Sequence, residues 1–438
     1  MTSIETLYQH FLQHPVICTD SRKIEPNSLF FALKGEKFDG NQYATQALTD
    51  GAAFAIVDDP GLAAHPQLLP VENVLTALQQ LARHYRRTMQ IPIIGIGGSN
   101  GKTTTKELVS AILSSHYTCH FTKGNFNNHI GVPLTLLAMP KDTEVAVIEI
   151  GANHPGEIDE LCRIAEPTHG LITNIGKEHL EGFGSLEGVK KAEGELFRYL
   201  AKKGGCAFVN ASEKYLKTMA RNNKRKVTYA AADTLHGLQE TFVEVQLVQQ
   251  TPFVEVAFLN EYNKPVALQS KLFGRHNFHN IMSGIALGMY FKVPAAKIKA
   301  AIEEYTPKNN RSQIVYQNDN TIILDAYNAN PSSMEAALES FDMMEARQKV
   351  AILGDMLELG RESHKEHVAI LRKAHKMQFH TLVVVGSEFE AAEPRQYNAL
   401  HFPDAAAARV WYQQQNFKDT MLLMKGSRGI KLETILDL

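Results

Sequence analysis

Short apolar runs recur through most of this chain, separated by longer segments in which apolar positions return every three or four residues. The first 88 residues read as a helix, then β-like runs at Leu29 to Leu33 and Phe54 to Val57, then a helical stretch from Leu75 to Arg87. The run Ile91 to Ile94 opens a second region. There β-runs at Val145 to Ile148, Gly170 to Thr173 and Ala207 to Val209 alternate with amphipathic segments such as Leu186 to Tyr199. That alternation predicts a mostly parallel sheet with helices on both faces. From Val243 to Val266 the period shortens towards two, which predicts antiparallel strands or hairpins. The polar, turn-rich segment Tyr305 to Asn310 is a joint, after which the α/β pattern starts again. Strands are expected at Thr321 to Leu324, Val350 to Leu353, Thr381 to Val385 and Thr420 to Met424. Helices are expected at Ser333 to Met344, Ser363 to His375 and Ala405 to Gln414. The expectation is an α/β protein of three domains, 1–88, 89–306 and 307–438.

Composition narrows the class without changing that picture. The 438 residues are 44% hydrophobic and 21% charged, with a formal net charge of −2. Such a balance gives no electrostatic case for nucleic acid or a membrane surface as principal partner. The N-terminus lacks the continuous apolar core of a signal peptide, and no run of 18 apolar residues is long enough to span a bilayer. Cys18, Cys119, Cys162 and Cys206 are widely spaced and read as buried thiols of a cytoplasmic protein.

The most telling stretch is Gly95-Ile-Gly-Gly-Ser-Asn-Gly-Lys-Thr-Thr104, between an apolar run and a helix-like segment. Strand, glycine-rich loop, Gly-Lys-Thr and helix is the arrangement that holds nucleotide phosphates. Its glycines let successive N–H groups converge on an anion. Lys102 supplies a mobile charge for the phosphate oxygens, and the Thr103 hydroxyl is placed to complete a Mg²⁺ shell. The usual spacing would put its first glycine at Ile96, so the motif here is the shorter core from Gly98 to Thr103.

A phosphate loop needs an acid to hold magnesium. Glu149 ends an apolar strand and would stand at the sheet's C-terminal edge, unless it is merely a strand-end glutamate facing solvent. His179, in Asn174-Ile-Gly-Lys-Glu-His179, reads either as a metal ligand or as a satisfied polar group. Asn125, Asn127 and Asn128 suit sugar or phosphate oxygens, although such loops are often only turns. After the joint, three polar segments follow strands: Asp325-Ala-Tyr-Asn-Ala-Asn-Pro331, Gly354-Asp-Met-Leu-Glu-Leu-Gly360 and Lys425-Gly-Ser-Arg-Gly429. Open α/β sheets carry their binding loops at that edge, so a site that closes between two such units is expected.

With these motifs assembled, the chain resembles the ATP-dependent Mur ligases of peptidoglycan synthesis over nearly its whole length. The resemblance implies a small N-terminal α/β domain, a central P-loop ATPase domain and a Rossmann-like C-terminal domain. Thr19-Asp-Ser-Arg22 with Pro26-Asn-Ser-Leu-Phe-Phe-Ala-Leu-Lys-Gly35 is similar to the family's uridine-nucleotide region, implying substrate contacts from Asp20, Ser21, Arg22 and Ser28. Gly98, Ser99, Asn100, Gly101, Lys102, Thr103 and Thr104 match its ATP loop. Glu149 and His179 match its magnesium ligands, with Thr103 beside them. Gly274-Arg-His-Asn-Phe-His-Asn280 resembles the segment whose asparagines, here Asn277 and Asn280, meet the adenine. Arg311 resembles an arginine that reaches the ATP phosphates, and Asp325, Tyr327, Asn328 and Asn330 would complete the nucleotide site. Asn127, Asn128, Lys425, Ser427 and Arg428 are implied on the substrate side. More narrowly, the last three polar segments resemble the branch that adds D-alanyl-D-alanine to UDP-N-acetylmuramoyl-tripeptide through an acyl phosphate, with ATP and Mg²⁺, as a monomer. The Asp-Asn-Pro-Arg signature expected of the branch adding the third residue is missing. That branch, a folate-adding ligase and, more remotely, a P-loop phosphotransferase are the alternatives.

One position departs from the resemblance. Many relatives carry a carbamylated lysine, serving a second magnesium, where this chain has Glu193. Lys191 cannot replace it, because two residues along a helix is a rotation of about 200°. Either Glu193 supplies the carboxylate directly, or it is a surface glutamate and Glu149 and His179 serve alone.

Overall fold

The fold is that of a computed structural model, which describes residues 1–62, 65–235, 241–308 and 310–436. Three main sheets divide the described residues in sequence order, beside a two-stranded ribbon of Lys34–Gly35 and Phe38–Asp39. The first has four strands, all parallel: Ile17–Cys18, Leu29–Phe31, Phe54–Val57 and Leu68–Pro70. Leu29, Phe30 and Phe31 are all buried, as expected of a strand covered on both faces.

The second sheet has nine strands. From one edge they run Pro265–Gln269, Glu255–Leu259, Val243–Gln249, Arg225–Ala231, Cys206–Asn210, His169–Ile172, Ile93–Gly97, Val145–Glu149 and Cys119–Phe121. The period-two stretch does form the antiparallel edge, and the rest of the sheet is parallel. Ile93–Gly97 lies between Val145–Glu149 and His169–Ile172, so connections leave it in opposite directions and open a crevice beyond the strand ends.

The third sheet orders Gln313–Gln317, Asn320–Asp325, Thr420–Lys425, Gln348–Gly354, Thr381–Val385 and Ala399–Phe402, antiparallel only in its first pair. The joint expected at Tyr305 to Asn310 precedes its first strand; position 309 of that joint lies outside the described residues.

The first two units are not separate cores. Helix Val74–Thr88, capped by Asn73 accepting from the Thr76 amide, buries Val74, Ala77, Leu78, Leu81, Ala82 and Tyr85 at helical spacing. That face joins the N-terminal sheet to Leu136, Ala165 and other residues of the central unit in one continuous apolar cluster. Tyr85 also donates to the Met139 carbonyl at 2.7 Å, and the buried Arg86 guanidinium donates to the Ala165 and Glu166 carbonyls at 2.9 and 3.0 Å. Among the described residues no helix is long and apolar enough to cross a membrane.

Candidate active site

The nucleotide loop takes the form its glycines permit. Helix Lys102–Ser114 begins straight after it, preceded by Gly101 at φ +78°, with Gly98 at φ +114°. A Cβ on Gly98 would come within 2.2 Å of Thr173 Oγ1, and one on Gly101 within 2.4 Å of Asn280 Oδ1. Asn174 holds the loop from the neighbouring strand: its backbone carbonyl accepts from the Ser99 amide at 2.9 Å, and its Oδ1 accepts from the Asn100 amide at 3.0 Å. Lys102 Nζ donates back to the Gly98 carbonyl and to Glu178 Oε2, the latter at 3.2 Å. Burial works against the Lys102 charge, but Glu178, Glu193 and Glu149 together hold its pKa above the ordinary lysine value.

Glu149 stands where the strand pattern predicted, at the C-terminal end of Val145–Glu149 and buried, not facing solvent. Its Oε1 accepts from Thr103 Oγ1 at 3.1 Å and from Asn127 Nδ2 at 2.8 Å, while its buried Oε2 has no partner among the described residues. An orphaned carboxylate oxygen beside a loop threonine suits magnesium, which takes few protein ligands and fills its octahedron with water and phosphate oxygens. When bound there, the ion would neutralise charge on the phosphates.

The four residues expected around metal do not form one cage. Among the described residues no three His, Cys, Asp or Glu side chains converge for an ion. His179, at φ +42°, lines the cleft with Thr103 and Glu149 and pairs its Nδ1 with Glu358 Oε2 of the third unit at 2.6 Å. That contact holds the Glu358 carboxyl below its usual range. Glu193 is fully buried, which removes the surface-glutamate alternative. Its Oε2 accepts from the Gly98 amide at 2.5 Å, beneath the loop, and its Oε1 has no hydrogen-bond partner among the described residues. Burial first, and then neighbouring Glu178, pushes its carboxyl up to about 8. Glu178, also buried with an orphaned Oε1, was not singled out from the sequence, although it adjoins His179 there. Glu178 and Glu149 share one ammonium, Lys102, and the raised Glu193 carboxyl adds a further charge only on losing its proton, which a bound cation would favour.

The third unit forms the opposite wall of a cleft of about 710 Å³. Strands Asn320–Asp325 and Thr420–Lys425 pair in register at their ends, where Lys425 Nζ donates to Asp325 Oδ2 at 2.7 Å and to the Asn328 carbonyl at 3.2 Å. The Arg311 guanidinium stacks 3.8 Å from the centre of the Tyr327 ring, with Arg428 on the same ring at 5.9 Å. Asn330 caps helix Pro331–Asp342 through Oδ1, while its Nδ2 reaches across to Asn100 Oδ1 of the nucleotide loop at 2.8 Å. Ser427 Oγ accepts from the Leu357 amide at 3.0 Å, so it braces one polar segment against another.

Other expected residues lie differently. Asn127 and Asn128 line the cleft, but Asn127 is engaged by Glu149, and Asn128 Oδ1 accepts from the Gly131 amide at 2.9 Å. Asn277 and Asn280 reach the cleft, yet both are buried and largely spent on the scaffold. Asn280 donates to Asn277 Oδ1 at 2.8 Å and accepts from Thr105 Oγ1 at 3.0 Å, while Asn277 donates to the Phe273 carbonyl at 2.8 Å. Asp20, Ser21 and Arg22 belong to the first unit and do not line this cleft; Asp20 and Arg22 form an exposed ion pair at 2.8 Å. Ser28 lies outside this cleft too: it is fully buried just before strand Leu29–Phe31, with no hydrogen-bond partner for its hydroxyl among the described residues.

Three family models match the chain in order. They are the Mur ligase family catalytic domain at 15–86, the Mur ligase middle domain at 96–288 and the Mur ligase glutamate ligase domain at 310–428. The chain belongs to the Mur ligase family. It is 34% identical to the UDP-N-acetylmuramoyl-tripeptide–D-alanyl-D-alanine ligase of Bacillus subtilis, over 98% of this chain and 93% of that protein. It is 35% identical to the enzyme of the same name from Escherichia coli, over 96% and 92%. A crystal structure of MurF from Acinetobacter baumannii superposes with a TM-score of 0.87 at 29% identity, covering 99% of this chain and 97% of that one. As a Mur ligase, the chain thus carries its nucleotide loop on the middle match and the facing polar segments on the last.

Proposed function

We propose that this Mur ligase joins D-alanyl-D-alanine to UDP-N-acetylmuramoyl-tripeptide at the expense of ATP. The observation that carries the reading is one cleft with a phosphate loop on one wall and the Asp325–Asn330, Glu358 and Lys425–Arg428 segments on the other. A simple phosphotransferase has no need of that second wall; a ligase must bring an amine to a carboxylate it has just activated. Near-full-length likeness to enzymes of this name supports the same substrates.

Residues 89–306 hold ATP, with the loop from Gly98 to Thr104 on its phosphates and Mg²⁺ at Thr103 and Glu149. Residues 1–88 hold the UDP-sugar end, and 307–438 present the dipeptide and supply Arg311. A tripeptide carboxylate oxygen attacks the γ-phosphorus, ADP leaves, and an acyl phosphate remains. The dipeptide amine then attacks the acyl carbon and expels phosphate, which carries away the amine's proton. An anion attacking a polyanion needs neutralisation, which Lys102 and Arg311 provide. The contacts of His179 with Glu358 and of Asn100 with Asn330 draw the two walls together, excluding water that would hydrolyse the acyl phosphate.

The test is phosphate release from ATP and Mg²⁺ with UDP-N-acetylmuramoyl-tripeptide, with and without D-alanyl-D-alanine. Release that needs both, with a pentapeptide product by mass, supports the reading. Activity only on the dipeptide precursor with a free diamino acid moves the chain to the branch adding the third residue. Silence with every UDP-linked peptide overturns the cell-wall assignment.

A further inference from the structure

The segment that carries Glu358 into the cleft leaves strand Gln348–Gly354 and is held from behind, residue by residue. The Asp355 amide donates to the Val385 carbonyl at 3.1 Å, the Met356 amide to His367 Nε2 at 3.0 Å and the Leu357 amide to Ser427 Oγ at 3.0 Å. Past these ties the chain reaches the central unit. There Glu358 accepts from the Glu181 amide at 3.2 Å through its backbone carbonyl, and its carboxylate meets His179.

His367, on helix Ser363–Lys376, is fully buried and is not among the residues lining the cleft, yet its two nitrogens have fixed and opposite tasks. A backbone N–H only donates, so Nε2 accepts from Met356. A backbone carbonyl only accepts, so Nδ1 carries the ring proton and gives it to the Ser363 carbonyl at 2.8 Å. Phe389 packs edge-on against the ring, with centroids 4.6 Å apart, and fixes its plane. Burial favours the neutral ring that both bonds require. No step of the ligation touches this imidazole.

We propose that His367 is a positioning residue for the amine substrate: its lone pair fixes the Met356 amide, and through it the turn that presents Glu358 to the incoming dipeptide. The dipeptide arrives bearing an ammonium group, which a carboxylate on the third wall suits. Asp325 is already held by Lys425, whereas Glu358 extends into the cleft half-exposed. A ligase must hold the amine against a carboxyl it has just activated, and a misplacement of about 1 Å in such a wall costs much of the rate. This inference rests on the ligase reading and adds how its acceptor wall is kept in place.

The test compares two variants whose amides each stand in for one ring nitrogen. In His367→Gln the side-chain oxygen falls near the place of Nε2 and still accepts from Met356. In His367→Asn the amide falls near the place of Nδ1 and leaves that buried N–H unmet. Steady-state kinetics of the whole enzyme are measured with each substrate varied in turn. His367→Asn is expected to raise KM for D-alanyl-D-alanine by about tenfold or more, and His367→Gln by about threefold or less. KM for ATP and for the UDP-linked tripeptide stays within about twofold of the parent in both. A loss of folded protein lowers the active fraction and leaves KM alone, so instability does not mimic this pattern. The double variant His367→Asn with Glu358→Gln is expected to keep the dipeptide KM of Glu358→Gln alone, because both act through one contact. Equal dipeptide KM in the asparagine and glutamine variants overturns the inference. Parallel rises in all KM values do so too, as do independent effects in the double variant. If His367→Asn does not fold, His367→Leu takes its place under the same expectations. A parent that makes no product from D-alanyl-D-alanine fails the ligase reading itself, a result distinct from these.

Discussion

Replacing Lys425 by methionine removes the side-chain cation hydrogen-bonded to Asp325 while nearly keeping the length of the side chain. Lys425 Nζ lies 2.7 Å from Asp325 Oδ2, and both side chains are shielded, at 3% and 16% exposure. Two unit charges at that distance attract by about 6 kcal/mol at an effective dielectric of about 20, part of which offsets the cost of bringing both out of water. Loss of one partner leaves Asp325 with the Ser312 amide at 3.1 Å, and should cost about 3–5 kcal/mol. The double variant Lys425→Met with Asp325→Asn removes both charges and should recover most of that loss. The sign with pH follows from Asp325. Burial raises its pKa, but Lys425, helped by His276 and the Ser312 amide, holds it below the ordinary value of 3.8. In the parent, Asp325 therefore contributes stability above that value, lost as pH falls through the lower folded pKa. In Lys425→Met burial dominates, the folded pKa lies above 3.8, and the residue becomes destabilising at neutral pH. Thermal unfolding of both proteins from pH 4 to pH 8 should show a gap that is small in acid and widens towards neutrality. A gap of constant size, or a double variant no better than the single, would refute the charge argument and reduce Lys425 to packing.

Three further outcomes follow from the same geometry. Glu149→Gln should raise the magnesium concentration needed for half-maximal turnover by about tenfold or more, by loss of a charged ligand beside Thr103; an unchanged magnesium curve would remove Glu149 from the metal site. Without metal or nucleotide, the parent should lose stability as pH rises from about 4.5 towards 8, because the folded Glu193 carboxyl is raised to about 8 and charging it in the core is unfavourable. Glu193→Gln should flatten that slope in denaturant unfolding, and parallel curves for the two proteins would contradict it. Asn330→Ala removes both a helix cap and the tie to Asn100, and should destabilise the third unit by about 1–2 kcal/mol. A rise in KM for ATP should accompany it, and a variant with parental stability and KM would show that the bridge does nothing.

What the sequence alone determined is whatever depends on near neighbours. The phosphate loop was legible because its glycine conformations, the strand before it and the helix after it are all set within about twenty residues. The same holds for the strand ending at Glu149, the period-two stretch that became an antiparallel edge, and the renewed α/β pattern after the joint. Short strands with weak patterning were missed. Ala399–Phe402 has only one fully buried residue, and Gln313–Gln317 none, so neither carries a clear apolar signature. Tertiary structure alone decided which side chains meet. His179 pairs with Glu358 and Asn100 with Asn330 across units far apart in sequence, and no periodicity encodes such contacts. Burial separated Ser28, sealed in its core, from Glu193, sealed beneath the loop with a carboxylate oxygen to spare. Local propensity is a property of a few consecutive residues, whereas the environment of a charge depends on everything packed around it. Hence the loop could be read from the chain, but the balance of carboxylates beneath it could not.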